Sequence, residues 1–240
     1  MMFLPMGQAG AASLATDLSE DEIAITSSFA GTSLLLFGSM GTTAPQDGLD
    51  VVVVVHGPEQ PMTIYRKQRT AGVWINSQPV KFDNVPGYYA VVANRPLDEI
   101  ASAQHLRREN IGPQNLVLIS RAETSVDELR ELSRAITDNR ADEGLYIIDE
   151  QAVKFPAGNL FRTNINFPAS VPVGDYRVIV RLFKDGNEVD RSTKVLTVGK
   201  RGLEQWIYAF AHQQSLAYGL VAIALAVFFG WFASVIFRQR

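Results

Sequence analysis

The 240-residue chain contains no cysteine. Disulfides, iron–sulfur clusters and cysteine-ligated zinc are therefore excluded. The absence assigns no compartment, because many exported proteins also lack cysteine. Positive charge is not in excess either. Lys and Arg number 22 against 25 Asp and Glu, a formal charge of -3. A nucleic-acid binder would normally show a basic face, so that class is disfavoured. Histidine is scarce: His56, His105 and His212 stand far apart and match no metal-ligand spacing. There is no Walker loop, nucleophile elbow or HExxH, and Gly31, Gly38 and Gly41 do not form a dinucleotide fingerprint. The expectation is a protein that is not an enzyme, with no catalytic residue, cofactor or bound metal.

Long uncharged hydrophobic runs are also missing, with one exception. From Ser215 to Phe237 no side chain is charged. A bilayer core about 30 Å thick needs about 20 apolar residues at 1.5 Å rise each. This run meets that length, so 215–237 is expected to be a transmembrane helix. Tyr218 near one end and Trp231 near the other suit the two interfaces, and Arg238 and Arg240 mark a cytoplasmic end (238–240). Lys200 and Arg201 on the other side blunt that asymmetry. Just upstream, Leu203, Trp206, Ile207, Phe210 and Ala211 fall on one helical face, predicting a juxtamembrane amphipathic helix over 202–214 with Trp206 at the interface. Ala222, Ala226, Gly230 and Ser234 recur every four residues. Small side chains at that spacing let two helices approach closely, so this face is a candidate for docking on a partner helix.

The N-terminus is less clear. Residues 1–17 read as a weak or partial signal segment, with a small-residue run that would place cleavage after Ala15. The positive n-region is missing. Two topologies follow. In one the body is exported and the C-terminus is cytoplasmic. In the other the protein is tail-anchored and its body lies in the cytoplasm.

The body reads as mainly β with a helical insert. Leu49–Pro58 (LDVVVVVHGP) is a continuous β-branched run with a Gly-Pro stop, read as a central strand. MTIYRKQR, GVWINSQ, PVKFDN and YYAVVANRP follow as short strands. Within them, Arg66-Lys67-Gln68-Arg69 reads as a solvated or edge-protecting strand face in preference to an anion site. Pro96 opens a predicted helix through Glu109. NLVLISR suggests a short strand. Ser125 and Glu128 have capping-box spacing, and Leu129, Leu132 and Ile136 give a helical stripe, predicting a helix from Val126 to about Asn139. Later, Phe161, Thr163, Ile165 and Phe167 alternate with polar residues. Tyr176, Val178, Val180 and Leu182 form one face of a hairpin that turns at Asp185-Gly186. Asp142-Glu143 and Asp149-Glu150 read as surface acids, and Trp74 as a core residue.

Val85-Pro86-Gly87-Tyr88-Tyr89-Ala90-Val91 echoes Val171-Pro172-Val173-Gly174-Asp175-Tyr176-Arg177-Val178. A glycine turn feeding a tyrosine at a strand start matches the tyrosine corner of immunoglobulin-like sandwiches. The expected architecture is two tandem immunoglobulin-like β-sandwich units, 18–95 and 144–199, joined by a helical segment 96–143.

Several segments together resemble a family of alphaproteobacterial transmembrane proteins of unassigned activity. They are Gly72-Val73-Trp74, Pro86-Gly87-Tyr88-Tyr89, Gly174-Asp175-Tyr176-Arg177-Val178, Lys200-Arg201-Gly202-Leu203-Glu204, Tyr218-Gly219-Leu220 and Gly230-Trp231, with a closing Phe-Arg. The resemblance covers nearly everything after about Leu18. It implies a signal peptide, an extracytoplasmic region and one C-terminal span. The resemblance also implies an association with sulfite-exporter-like permeases, and so a transporter accessory. The expected function is a membrane-anchored periplasmic interaction protein whose partners are the membrane and a permease-like membrane protein, with no nucleic acid. The alternative is a periplasmic solute- or metal-binding module that delivers its ligand to a membrane partner.

Overall fold

The strand called for by the valine run forms as expected. β4 spans Leu49–His56, and Leu49 to Val55 are all buried. The computed structural model describes residues 13–41, 48–70, 73–120, 125–200 and 215–237, with side chains described for all of these except 66–70, 73–78, 215–217, 220–222 and 233–237. These residues fall into two units. One comprises residues 1–23 and 28–199, the other 24–27 and 200–240.

Twelve strands are described: β1 (Leu14–Leu18), β2 (Glu22–Ile25), β3 (Gly31–Met40), β4, β5 (Glu59–Thr70), β6 (Val73–Pro86), β7 (Tyr89–Ala93), β8 (Tyr146–Asp149), β9 (Lys154–Ala157), β10 (Leu160–Pro168), β11 (Gly174–Lys184) and β12 (Asn187–Lys200). They form a four-stranded sheet β1-β3-β10-β9, a six-stranded sheet β2-β12-β11-β4-β7-β8 and a two-stranded ribbon β5-β6.

This order corrects the expectation of two tandem sandwiches. β3 pairs with β10 from Gly31↔Pro168 to Ser39↔Leu160, and β4 pairs with β11 from Leu49↔Lys184 to His56↔Arg177. Both sheets thus mix strands from 18–95 with strands from 144–199. The two halves build one sandwich. The alternating patterns in β10 and β11 present their apolar faces to each other: Phe161, Ile165 and Phe167 on one side, Tyr176, Val178, Val180 and Leu182 on the other, all buried. A strand face of this kind is covered by whichever sheet fits it, wherever that sheet lies in the chain.

The repeated glycine–tyrosine motifs converge on one ring. Tyr88 stacks on Phe167 at 5.0 Å, and Tyr176 meets Phe167 edge-on at 5.7 Å. Only the second motif closes a tyrosine corner, since Tyr176 Oη donates to Pro172 O, four residues upstream, at 2.5 Å. Tyr88 Oη instead donates to Asn166 O on β10. The echo therefore does not mark a second sandwich.

The helical insert is the crossover of a parallel pair. β7 and β8 run parallel, from Tyr89↔Tyr146 to Val92↔Asp149, and such a pair needs a long connection. The helix expected from Pro96 to Glu109 is split into α1 (Leu97–Ile100) and α2 (Ala103–Arg108), because Ala101 is extended and Ser102 caps a new start by accepting from His105 N. NLVLISR forms no named strand; Ser120 alone bridges Phe82. α3 (Val126–Asp142) runs as predicted and three residues further, with the Ser125 hydroxyl accepting from Glu128 N. Its Leu132 and Ile136 pack with Phe82 and Val85 at the foot of β6. GVWINSQ and PVKFDN are one strand, β6, and not two.

One further expectation changes. Residues 14–18 form β1, paired with β3 from Leu14↔Met40 to Leu18↔Leu36, so a boundary at 17 with cleavage after Ala15 would cut a strand of the sheet. The Asp185-Gly186 turn is confirmed, with φ of 48° and 84° as a two-residue hairpin of this handedness requires. The C-terminal helix α4 (Ser215–Phe237) has the expected bounds.

Candidate functional site

β11 carries a charge where its neighbours are apolar. In Val178-Ile179-Val180-Arg181-Leu182-Phe183, Tyr176, Val178, Val180 and Leu182 face the sandwich interior, so Arg181 and Phe183 lie on the opposite side of the sheet. They are buried there nonetheless, Arg181 at 4% exposure. A buried guanidinium must be paired. Arg181 Nη1 donates to Glu109 Oε2 at 2.9 Å and to Glu188 Oε2 at 2.8 Å. Arg191 completes the square, with Nε donating to Glu188 Oε1 at 2.6 Å and Nη2 to Glu109 Oε2 at 2.8 Å. His105 Nε2 lies 3.3 Å from Glu188 Oε2, and its ring meets Phe183 edge-on.

Three elements position this cluster. Glu109 ends α2, Arg181 lies mid-β11, and Glu188 and Arg191 sit on β12 just after the Asp185-Gly186 turn. The turn brings Glu188 back across from Phe183 in the ladder. Above the cluster is a polar cavity of about 360 Å³ lined by His105, Arg108, Glu109, Asn187, Glu188 and Arg191, among others. Arg181 and Arg191 offset Glu109 and Glu188, and Arg108 offsets Asp190, so the charges around the cavity balance. This arrangement clamps the crossover to the sheet and leaves room for a small polar solute. Among the described residues, no group of three or more His, Asp or Glu is placed to hold a metal ion.

The electrostatics make the fold acid-sensitive. The hydrogen bond from Arg181, with that from Arg191, holds the Glu109 carboxyl down at about 2, against the opposing effect of burial. Glu188 is also lowered: its burial acts upward, but Arg191 and Arg181 outweigh it. On β4, burial pushes His56 down to about 4, helped by the charges of Arg177 and Arg181, and its ring packs on Tyr89 at 5.0 Å. A lowered folded-state value means stability that is present above the unfolded value and lost as pH falls. For His56 the loss runs from about 6.5 down to about 4, and for Glu109 from about 4.5 down to about 2. Melting temperature is expected to drop in two steps over these windows. His56→Gln should flatten the upper step and spare the lower; an upper step unchanged in that variant would refute the assignment. Circular dichroism melts from pH 7.5 to 2 read both.

A second buried ion pair is structural. Asp50, 2% exposed, accepts from Arg95 Nε at 2.6 Å and Nη2 at 2.5 Å, and from Asn94 Nδ2 at 2.9 Å. It ties the start of β4 to the end of β7.

Among the described residues, His56 and His105 form no metal-holding group with the paired acids. His105 meets Glu188, Glu143 pairs with Arg140, and Glu150 accepts from Leu97 N. His212 and Trp206 lie outside the described residues, as do Arg238 and Arg240, and with Trp206 the whole expected helix 202–214. In α4, residues 223–232 are all exposed, including Ala226, Gly230 and Trp231, and Tyr218 is 42% exposed. The side chains of Ala222 and Ser234 are not among those described. The candidate docking face therefore has Ala226 and Gly230 open, and its other two members are placed only by the helical backbone. Tyr218, Gly219 and Ile223–Phe232 are too few to cross a bilayer by themselves. Among the residues whose side chains are described, no helix is long and apolar enough to do so.

The sequence left two signals of the Arg181 cluster unused. Arg181 interrupts an apolar strand, and Glu188 and Arg191 stand three residues apart after a tight turn. Glu109, from a distant helix end, carried no signal.

Fold and helix together define a mainly β body on a chain that also carries an uncharged apolar helix, Ser215–Phe237. The chain belongs to the family described as "Putative transmembrane protein (Alph_Pro_TM)", whose model matches residues 13–239. No curated protein matches the chain.

Proposed function

We propose that this protein is a single-pass, membrane-anchored interaction protein without catalytic activity. Helix α4 spans the inner membrane, the sandwich stands on the periplasmic side, and Arg238 and Arg240 mark the cytoplasmic end. The observation that carries this reading is α4 itself. Its 23 residues have no charge and extend about 35 Å, enough for the bilayer core. Ten consecutive residues, 223–232, are exposed, and at 3.6 residues per turn they cover every side of the helix. Ile223, Val227, Phe229 and Trp231 are each 60% exposed or more. Water is a poor solvent for such a surface, and lipid is a good one. Membership of a transmembrane family supports the same conclusion.

The partner in this reading is another membrane protein, of the permease kind, held through Ala222, Ala226, Gly230 and Ser234. Reporter fusions after Gly199 and at the C-terminus test the topology. Alkaline phosphatase is expected to be active at Gly199, and a green fluorescent protein to be bright at the C-terminus. The reverse pattern would establish the tail-anchored topology with a cytoplasmic body.

The cavity over Glu109 and Glu188 supports a second reading, a module that binds a small polar solute for delivery to the membrane partner. Solutes that raise the melting temperature of the wild type but not of Arg108→Ala would favour it.

A further inference from the structure

We propose that the ribbon β5–β6 is a cationic arm that rests on the anionic headgroup surface of the bilayer. This inference builds on the anchoring proposed for α4.

Charge is sharply divided along the chain. Residues 61–81 hold Arg66, Lys67, Arg69 and Lys81 and not one Asp or Glu. The remainder holds 18 basic and 25 acidic residues, a formal charge of -7. This cationic segment folds into a sheet of its own. β5 and β6 pair from Glu59↔Pro86 to Thr70↔Val73, a ladder about 40 Å long at 3.4 Å per residue.

The base of the ribbon is rooted. Met62, Ile64 and Val80 pack against Phe82, Val85, Leu132 and Ile136. Among the described residues that packing stops at Ile64 and Val80. Beyond it come Tyr65↔Pro79, Lys67↔Asn76, Gln68↔Ile75, Arg69↔Trp74 and Thr70↔Val73. Tyr65 and Lys81 are exposed. A two-stranded ribbon is marginal alone in water, so its outer half gains from a surface to lie on. Three cations with the exposed Tyr65, and no acid, are the residue types that favour a membrane interface. In this reading the same molecule is tethered to a bilayer. Tethering raises the local concentration of that surface without any new contact.

The absence of cysteine makes the test clean, because Gln68→Cys gives a single labelling site. The full chain, labelled there with an environment-sensitive fluorophore, is reconstituted in nanodiscs of phosphatidylcholine alone or with phosphatidylglycerol added. Blue-shifted emission protected from an aqueous quencher is expected in the anionic discs only, reversed by high salt. In R66Q/K67Q/R69Q the ratio of docked to free arm should fall about a hundredfold, at about 1 kcal/mol per cation, with the melting temperature of the body unchanged. A label that stays exposed in anionic discs, in protein that is anchored, overturns the arm and leaves the anchor standing. A label protected only when polyglutamate is added overturns it in favour of an acidic protein partner. Protein that fails to enter either disc overturns the anchor, and the arm with it.

Discussion

Arg181→Met is expected to lower the stability of the body by about 3–5 kcal/mol. The side chain is 4% exposed and serves two carboxylates. Removing the guanidinium leaves Glu109 with Arg191 and Arg108, and Glu188 with Arg191 and His105, all of them closer to solvent than Arg181. A buried carboxylate without its partner carries its full desolvation penalty, which exceeds the modest net value of the intact pair. The triple variant Arg181→Met, Glu109→Gln, Glu188→Gln should therefore be more stable than the single one, because Arg191, left without a carboxylate, is 44% exposed. Chemical denaturation of the three proteins in mild detergent decides the matter. A triple variant less stable than Arg181→Met would show that the cluster contributes more than the avoidance of unpaired charge.

Leu225→Arg with Val227→Arg is expected to abolish membrane integration. Both positions sit at the middle of α4, 50% and 66% exposed. An arginine at the centre of a span costs about 2.5–3.5 kcal/mol on insertion scales, so two cost roughly 5–7 kcal/mol. That is a shift of more than a thousandfold in the insertion equilibrium. Alkaline carbonate extraction of membranes reads it: the wild type should stay in the pellet and the variant should move to the supernatant. Pelleting of both would show that something other than α4 holds the protein to the membrane. The same pair on a soluble helix would improve solubility and leave fractionation unchanged, so the sign of the effect separates the two environments.

Features set by near neighbours in the chain were legible in the sequence. The valine run predicted β4, and its double burial follows from the helical crossover on one face and the second sheet on the other. The alternation from Tyr176 to Leu182 predicted which side of β11 points inward. Asp185-Gly186 predicted the tight turn because both residues accept positive φ. Ser125 with Glu128 predicted the start of α3. Leu97 through Arg108, by contrast, had no strong stop signal, and the break at Ala101 was missed.

The partners of those elements were not legible. An apolar strand face states that it needs cover, but not which of many similar faces will supply it. Two glycine–tyrosine motifs therefore suggested two domains, when both tyrosines in fact surround Phe167 in one core. The Arg181 cluster was hidden for the same reason: its members come from α2, β11 and β12, and only the β12 pair is close in sequence.

By itself, then, the sequence determined the apolar helix 215–237, the mainly β body, the hairpin at Asp185-Gly186 and the lack of cysteine-based chemistry. Each depends on residue type and spacing along the chain. The tertiary structure alone decided that the two halves make one sandwich, that the helices are a crossover, and that Arg181 is locked between two glutamates. Those outcomes depend on which distant surfaces fit together, and on the cost of burying a charge unless its counter-charge arrives from elsewhere in the fold.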